Sequence, residues 1–185
     1  MYAPTELVYS SENYSDGLSE LHMLGKMNVP LHKYFVLRLK MGPVADKYLD
    51  KALVVELSND RKKLSAVGGK YDNGWIEAEV RSLGNFTVKL DTLAPVIKPI
   101  NIYEGKNISG SKKIEFKIAD DLSGIQDYDI WIDEQWVLSN YIPKRATLTV
   151  TFNKYNKIEK GKHQIKVKVT DERGNIAIKK YGFIY

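Results

Sequence analysis

The chain of 185 residues contains no cysteine. Disulfides, thiolate metal sites and cysteine nucleophiles are thereby excluded, while the compartment stays open, because envelope proteins often manage without Cys. Histidine is scarce, with only His22, His32 and His163. A catalytic zinc needs protein ligands converging at about 2 Å and an open position for water. No His-x-His or His-Glu-x-x-His spacing occurs, and no metal ligand is assigned. Apolar runs are short, and none approaches the roughly 18 residues of a membrane-crossing helix. No basic-then-apolar leader follows Met1, so if the natural protein is exported its signal sequence would precede this chain, and Met1 would not be the natural start. No Gly-x-Ser-x-Gly elbow is present. Glu77 and Glu79 share one strand face, which reads more simply as solvated than as a glycosidase pair. No catalytic residue and no cofactor are assigned.

What is present is a soluble, strand-rich composition, 43% hydrophobic and 28% charged, at a length that fits one large or two small domains. The stretch Asp91-Thr92-Leu93-Ala94-Pro95-Val96-Ile97-Lys98-Pro99 divides the chain. Pro95 and Pro99 cannot donate to a sheet ladder, and each pushes the residue before it toward extended geometry. A short, stiff joint is expected here, between residues 1–92 and 93–185, each piece near the size of one β-sandwich. The net charge of +5 is confined to the second piece. From Val96 onward 16 Lys and Arg stand against 11 Asp and Glu, a difference of five, whereas 12 stand against 12 before it. A surface for an anionic polymer would account for this. So would outward lysines on strands, and their alternation with apolar residues favours the latter, so no nucleic-acid partner is assigned.

The first 33 residues are weakly patterned, with Leu7-Val8-Tyr9 as a candidate strand and Ser10 to Gly17 as a loop. Phe35, Leu37 and Leu39 then alternate with Val36, Arg38 and Lys40, the period of a half-buried strand. Residues 44–51 hold a candidate helical turn. Leu53, Val55 and Leu57 are expected to form one inward face, and Lys63 to Val67 a short strand. Asp72-Asn73-Gly74 is hairpin chemistry. Trp75 opens a strand with Ile76, Ala78 and Val80 inward, and Phe86, Val88 and Leu90 alternate up to the joint. In the second piece Ile114, Phe116, Ile130, Val150, Ile165 and Val167 are expected to form one core. Ile176 and Ile178 lie in one phase and Tyr181, Phe183 and Tyr185 in the other, which predicts a β-bulge near Lys179-Lys180. The expected fold is all-β, with two tandem β-sandwich domains, the second immunoglobulin-like.

Two constellations have functional readings. Asp120, Asp121 and Asp171 lie in turns; a calcium site built on their oxygens is one reading, and turn capping by Asx side chains the simpler one. Trp75 and Trp136, with Tyr71 and Tyr141, are candidate ligand-contacting aromatics that would stack on sugar rings, core packing being the alternative.

The run from Gly84 to Pro95, G-N-F-T-V-K-L-D-T-L-A-P, resembles the junction that leads into bacterial immunoglobulin-like repeats. Asp121-Leu122-Ser123-Gly124-Ile125, Asp133-Glu134-Gln135-Trp136 and Val169 to Asn175 are similar to the "D-x-x-S-G-I", "D-G-x-W" and "V-x-D-x-x-G-N" marks of such a repeat, with Glu134 where Gly is common. Asn28-Val29-Pro30-Leu31-His32 and Tyr71-Asp72-Asn73-Gly74-Trp75 resemble the region after the catalytic domain of lysostaphin/LytM-type cell-envelope metallopeptidases. That family's His-x-x-x-Asp and His-x-His ligand motifs are absent, so no catalytic residue carries over. The resemblance implies a non-catalytic accessory or spacer region of an exported protein, attached to a peptidoglycan peptidase. Its partner would be peptidoglycan or another envelope component, in the periplasm, at the outer surface or secreted. An independent glycan- or protein-binding, adhesin-like module is the alternative.

Overall fold

The computed structural model describes residues 7–26 and 29–185, so Asn28 of the first resemblance motif lies outside the described residues. The chain separates into two compact units, Met1–Thr92 and Leu93–Tyr185. Both are built from strands, with two short 3-10 helices at Asp46–Lys51 and Pro143–Arg145.

Unit 1 contains β1 (Tyr9–Glu12), β2 (Leu21–Leu24), β3 (Pro30–Lys40), β4 (Ala52–Leu57), β5 (Leu64–Gly68), β6 (Lys70–Asp72), β7 (Trp75–Ser82) and β8 (Gly84–Leu90). A five-stranded sheet runs in the order β1-β2-β8-β4-β5 and a three-stranded one in the order β3-β7-β6. Leu37, Leu39, Ile76, Ala78 and Val80 from the smaller sheet share one core with Leu24, Ala52, Val54, Phe86 and Val88 from the larger. The turn Asn73-Gly74 takes φ of 47° and 88°, the left-handed pair that a two-residue hairpin between β6 and β7 requires.

Two expectations are corrected in this unit. Ser10 to Glu12 is strand, because β1 pairs antiparallel with β2 along the sheet edge, where polar side chains are tolerated. In β4, Leu53, Val55 and Leu57 are fully buried, but so are Ala52 and Val54 on the opposite phase. A strand covered on both faces reads as a continuous apolar run, so alternation never existed there to find.

Unit 2 contains β9 (Val96–Pro99), β10 (Lys106–Asn107), β11 (Lys113–Ala119), β12 (Ile125–Ile132), β13 (Gln135–Trp136), β14 (Ser139–Ile142), β15 (Thr147–Thr151), β16 (Lys162–Asp171) and β17 (Ile176–Ile184). The sheets are β14-β15-β11-β9 and β10-β17-β16-β12-β13. Taken as strands D-E-B-A against A′-G-F-C-C′, this is the immunoglobulin-like arrangement. Pro99 sits in β9 at the edge of its sheet, where a missing N–H costs no ladder bond. Ile114, Phe116, Ile130, Val150, Ile165 and Val167 are all fully buried in one core that also takes Leu148, Val169 and Phe183. A buried Asn156 staples the turn after β15. Its amide donates to the carbonyls of Leu138 (2.7 Å) and Thr151 (3.1 Å) and accepts from the Leu138 N–H (3.0 Å).

The bulge expected near Lys179-Lys180 is not there. The β16–β17 register runs unbroken from Lys162↔Ile184 to Thr170↔Ile176. The phase that enters the core is Ala177, Tyr181 and Phe183, and Ile176 and Ile178 face outward, 51% and 54% exposed. The expectation assumed that every Ile points inward. β17 breaks that assumption, not its own register.

With no disulfide, unit 2 closes on side-chain packing alone. Phe116→Ala should therefore destabilise it by about 3–5 kcal/mol, read as the shift of a urea unfolding midpoint; a loss below about 1 kcal/mol would show that Phe116 is not a core residue.

Candidate functional site

On the outer face of the five-stranded sheet of unit 2, alternation along β16 turns Lys162, Gln164, Lys166, Lys168 and Thr170 outward, opposite the buried phase Ile165, Val167 and Val169. Register places Trp131 beside Lys166 and Asp129 beside Lys168, and β13 then sets Trp136 directly across from Trp131. Both indole side chains therefore project from the same face of the sheet, Trp136 exposed and Trp131 half-buried. Lys166 lies over the Trp131 ring with its Nζ 4.5 Å from the centroid, and the same ammonium donates to Glu134 at 2.7 Å. The Trp136 Nε1–H donates to Asp129 Oδ1 at 3.0 Å, which fixes the ring while leaving it 58% exposed. A pinned, exposed indole bordered by cations and carboxylates can stack on a planar or pyranose face and hydrogen-bond at its rim.

The hairpin that presents Trp136 is built without glycine. Asp133 and Glu134 both adopt left-handed φ, 49° and 63°, at the two central positions where Asn-Gly is usual. Side chains hold this turn to the neighbouring strand. Asp133 Oδ1 accepts the Gln164 N–H at 2.8 Å, and Oδ2 meets His163 Nδ1 at 2.6 Å. His163 Nε2 lies 2.9 Å from the Glu159 carbonyl. Both ring nitrogens of His163 thus face acceptors. A cleft of about 350 Å³ borders this clamp, walled by Val137, Phe152, Ile158 and Lys157 among others. Partial burial pushes the Asp133 carboxyl up, but the hydrogen bonds from His163 and Gln164 outweigh it and hold it below the ordinary carboxylate range.

The four aromatics singled out from sequence do not form joint platforms. Tyr71 pairs with the buried Ile76 and Trp75 with Asp72, so Tyr71 and Trp75 point to opposite faces of the β6–β7 hairpin. Trp75 lies under Arg38, 5.7 Å from its ring centroid, and Arg38 also bridges Asp72 (3.1 Å) and Glu77 (3.3 Å). In unit 2, Tyr141 belongs to β14 in the other sheet, where it packs against the core beside Tyr128, ring centroids 5.5 Å apart. The partner of Trp136 is Trp131, which sequence reasoning passed over. The signal was present: Trp131 alternates out of phase with Tyr128, Ile130 and Ile132, and a tight Asp-Glu turn brings Trp136 back beside it.

Of the three acidic residues with a calcium reading, Asp120 and Asp171 approach each other, with carboxylate oxygens within 4.8 Å, while Asp121 is exposed and stands outside this pair. Their oxygens are turn caps. Asp120 Oδ2 accepts the N–H groups of Leu122 (3.1 Å) and Gly124 (2.8 Å). The fully buried Asp171 accepts the N–H groups of Arg173 and Asn175, both at 2.8 Å, on Oδ1 and the Asn175 amide at 2.7 Å on Oδ2. Glu172 N–H then joins the two turns through the Gly124 carbonyl at 3.1 Å. The "S-G-I" and "D-x-x-G-N" marks are thus residues that shape two contiguous turns. As for the other histidines, His22 Nδ1 lies 3.0 Å from the Tyr9 hydroxyl, and partial burial lowers its pKa against the opposing charge of Glu20. His32 is exposed on β3. Among the described residues no helix is long and apolar enough to cross a membrane.

Residues 1–91 match the Zu5-like domain family. No curated protein matches the chain. Among solved structures it is similar to CopC from Methylosinus trichosporium OB3b, at 17% identity over 48% of this chain and 92% of that one, TM-score 0.37. It is also similar to fibronectin(III)-like modules of Clostridium thermocellum CbhA, at 13% identity over 86% and 92%, TM-score 0.40. Dimeric latent PorU from Porphyromonas gingivalis is 12% identical over 90% of this chain but only 21% of its own length, TM-score 0.41. Likenesses this distant carry no functional argument, and they lend the lysostaphin/LytM resemblance no support.

Two outcomes follow from these turns. Asp171→Ala strands several buried N–H donors at once and should destabilise unit 2 by about 3 kcal/mol; an unchanged unfolding midpoint would show that the turn needs no cap. Asp133 has a folded pKa below its unfolded value, so its contribution is fully present above about pH 4 and is lost as pH falls through the folded value. Denaturation midpoints at neutral pH and below about pH 3 should therefore converge more closely in Asp133→Asn than in the parent chain, and an identical acid loss in both would count against the clamp.

Proposed function

We propose that this chain is a non-catalytic pair of β-sandwich modules that acts as an accessory and spacer region of an exported cell-envelope protein. It contacts a wall polymer through the outer face of the second module. The observation that carries this reading is the Trp131–Trp136 cross-strand pair on the outer face of the sheet: the exposed Trp136 is fixed by Asp129, and the half-buried Trp131 lies under Lys166. Aromatics placed only to fill a core do not occupy that face. The rim of lysines and carboxylates supplies hydrogen bonds to hydroxyl, amide and carboxylate groups of a glycan chain. His163 is engaged as a clamp at both nitrogens, which suits a structural role over a general base.

In its narrower form the reading attaches these modules to a peptidoglycan metallopeptidase. Its support is the chain's resemblance to the region that follows such a catalytic domain, and it is tested by whether the natural reading frame carries a signal peptide, His-x-x-x-Asp and His-x-His upstream.

The purified chain, incubated with cell-wall sacculi, should partition into the pellet and release no peptide fragments, with or without added zinc. Trp136→Ala should weaken that partition about tenfold or more, in line with the loss of one stacking platform, while Trp75→Ala should leave it within about twofold. Chelator-sensitive fragment release would make the protein an enzyme. Equal binding by parent and Trp136→Ala would remove this face from the function.

A further inference from the structure

β17 has an open edge whose geometry can be derived atom by atom. On one side it pairs with β16 along its whole length. On the other, β10 covers only Phe183 and Ile184. The Gly105 N–H donates to the Gly182 carbonyl (2.8 Å), the Ile108 N–H donates to the Ile184 carbonyl (2.8 Å), and the Gly182 N–H donates to Glu104 Oε2 (2.9 Å). The backbone groups of the even-numbered residues therefore point away from β16. By the period of two, so do the N–H and C=O groups of Ile176, Ile178 and Lys180. Among the described residues no strand pairs with that stretch; β9 runs close to β17 but hydrogen-bonds within the opposite sheet. Three consecutive edge positions thus offer unpaired donors and acceptors, and their side chains include the two exposed isoleucines.

We propose that this edge accepts an extended peptide segment as an added strand, in which apolar side chains alternate with acidic ones. The apolar residues of such a segment lie against Ile176 and Ile178 on the outer face. The acidic ones fall on the other face, where they meet the exposed Lys179. Lys179 decides the choice of occupant. It stands on the core-facing phase of an edge strand, opposite the buried Val167, and a charge in that position obstructs purely apolar or basic strands. Only a carboxylate at the matching position turns the obstruction into an ion pair. Main-chain bonds then supply affinity, and the alternating side chains supply selectivity.

The test uses the full chain and two short fluorescein-labelled peptides, one alternating valine with glutamate and one alternating valine with lysine, followed by fluorescence anisotropy. The Val–Glu peptide should bind, more weakly as salt rises, and at least tenfold tighter than the Val–Lys peptide. Ile178→Pro removes an edge N–H that β16 does not use, so its melting curve should stay near that of the parent while its affinity for Val–Glu falls tenfold or more. The change Lys179→Glu, whose fold the same melting curve checks, should reverse the preference toward Val–Lys. Equal binding by Ile178→Pro, no charge preference, or no binding at all would overturn the proposal. So would sedimentation of the peptide-free chain as a dimer that Ile178→Pro dissolves, since the edge would then be filled by a second copy.

Discussion

The second unit depends on one constraint, the strict alternation of β16. Its ten residues send Ile165, Val167, Val169 and Asp171 inward and Lys162, Gln164, Lys166, Lys168 and Thr170 outward. A slip of one residue would exchange the two sets and place ammonium groups in the core. That prohibition fixes where β12 and β17 lie against β16, hence which residues meet on the outer face, and hence where the indoles stand. The same strand ends in Asp171, whose buried carboxylate shapes the turn into β17, and begins beside His163, which clamps the β12–β13 hairpin. Core, turn and surface are parts of one register.

Charge on this fold follows from the same register. The excess cations of the second half appear as alternating lysines on a sheet face, among Asp127, Asp129 and Glu134, and as a basic loop around Lys154, Lys157 and Lys160. Lys166 is shared between an indole and a carboxylate. Such a mixed face lacks the uniform positive potential on which the binding of a polyanionic rod depends.

The all-β class and the core of the second unit were legible because its strands are buried on one face only, where period two is strong. The six core positions named from sequence are all inaccessible in the structure. Legibility failed where that condition lapsed. β4 is covered on both faces and shows no alternation. β17 exposes Ile176 and Ile178, so hydrophobicity misreported its phase. For the site, proximity in sequence paired Tyr71 with Trp75 and Trp136 with Tyr141. A hairpin places residues by register, so the first pair falls on opposite faces and the second on different sheets. Trp131 was visible as an outward residue, but its meeting with Trp136 depends on the two left-handed residues of the turn, which no Asn-Gly announces.

The short parallel pairing of β10 with β17 bears on how the second unit carries tension. β10 lies near the start of the unit and β17 at its end, and the two run in the same direction. A pull on the two ends of the unit draws these strands past each other along their length. The bonds of Gly105 and Ile108 to β17 are then loaded in shear, all together, and are not opened one at a time from a terminus. A segment so fastened resists extension along the chain while remaining easy to peel from the side, a mechanical asymmetry suited to a part held between two fixed points.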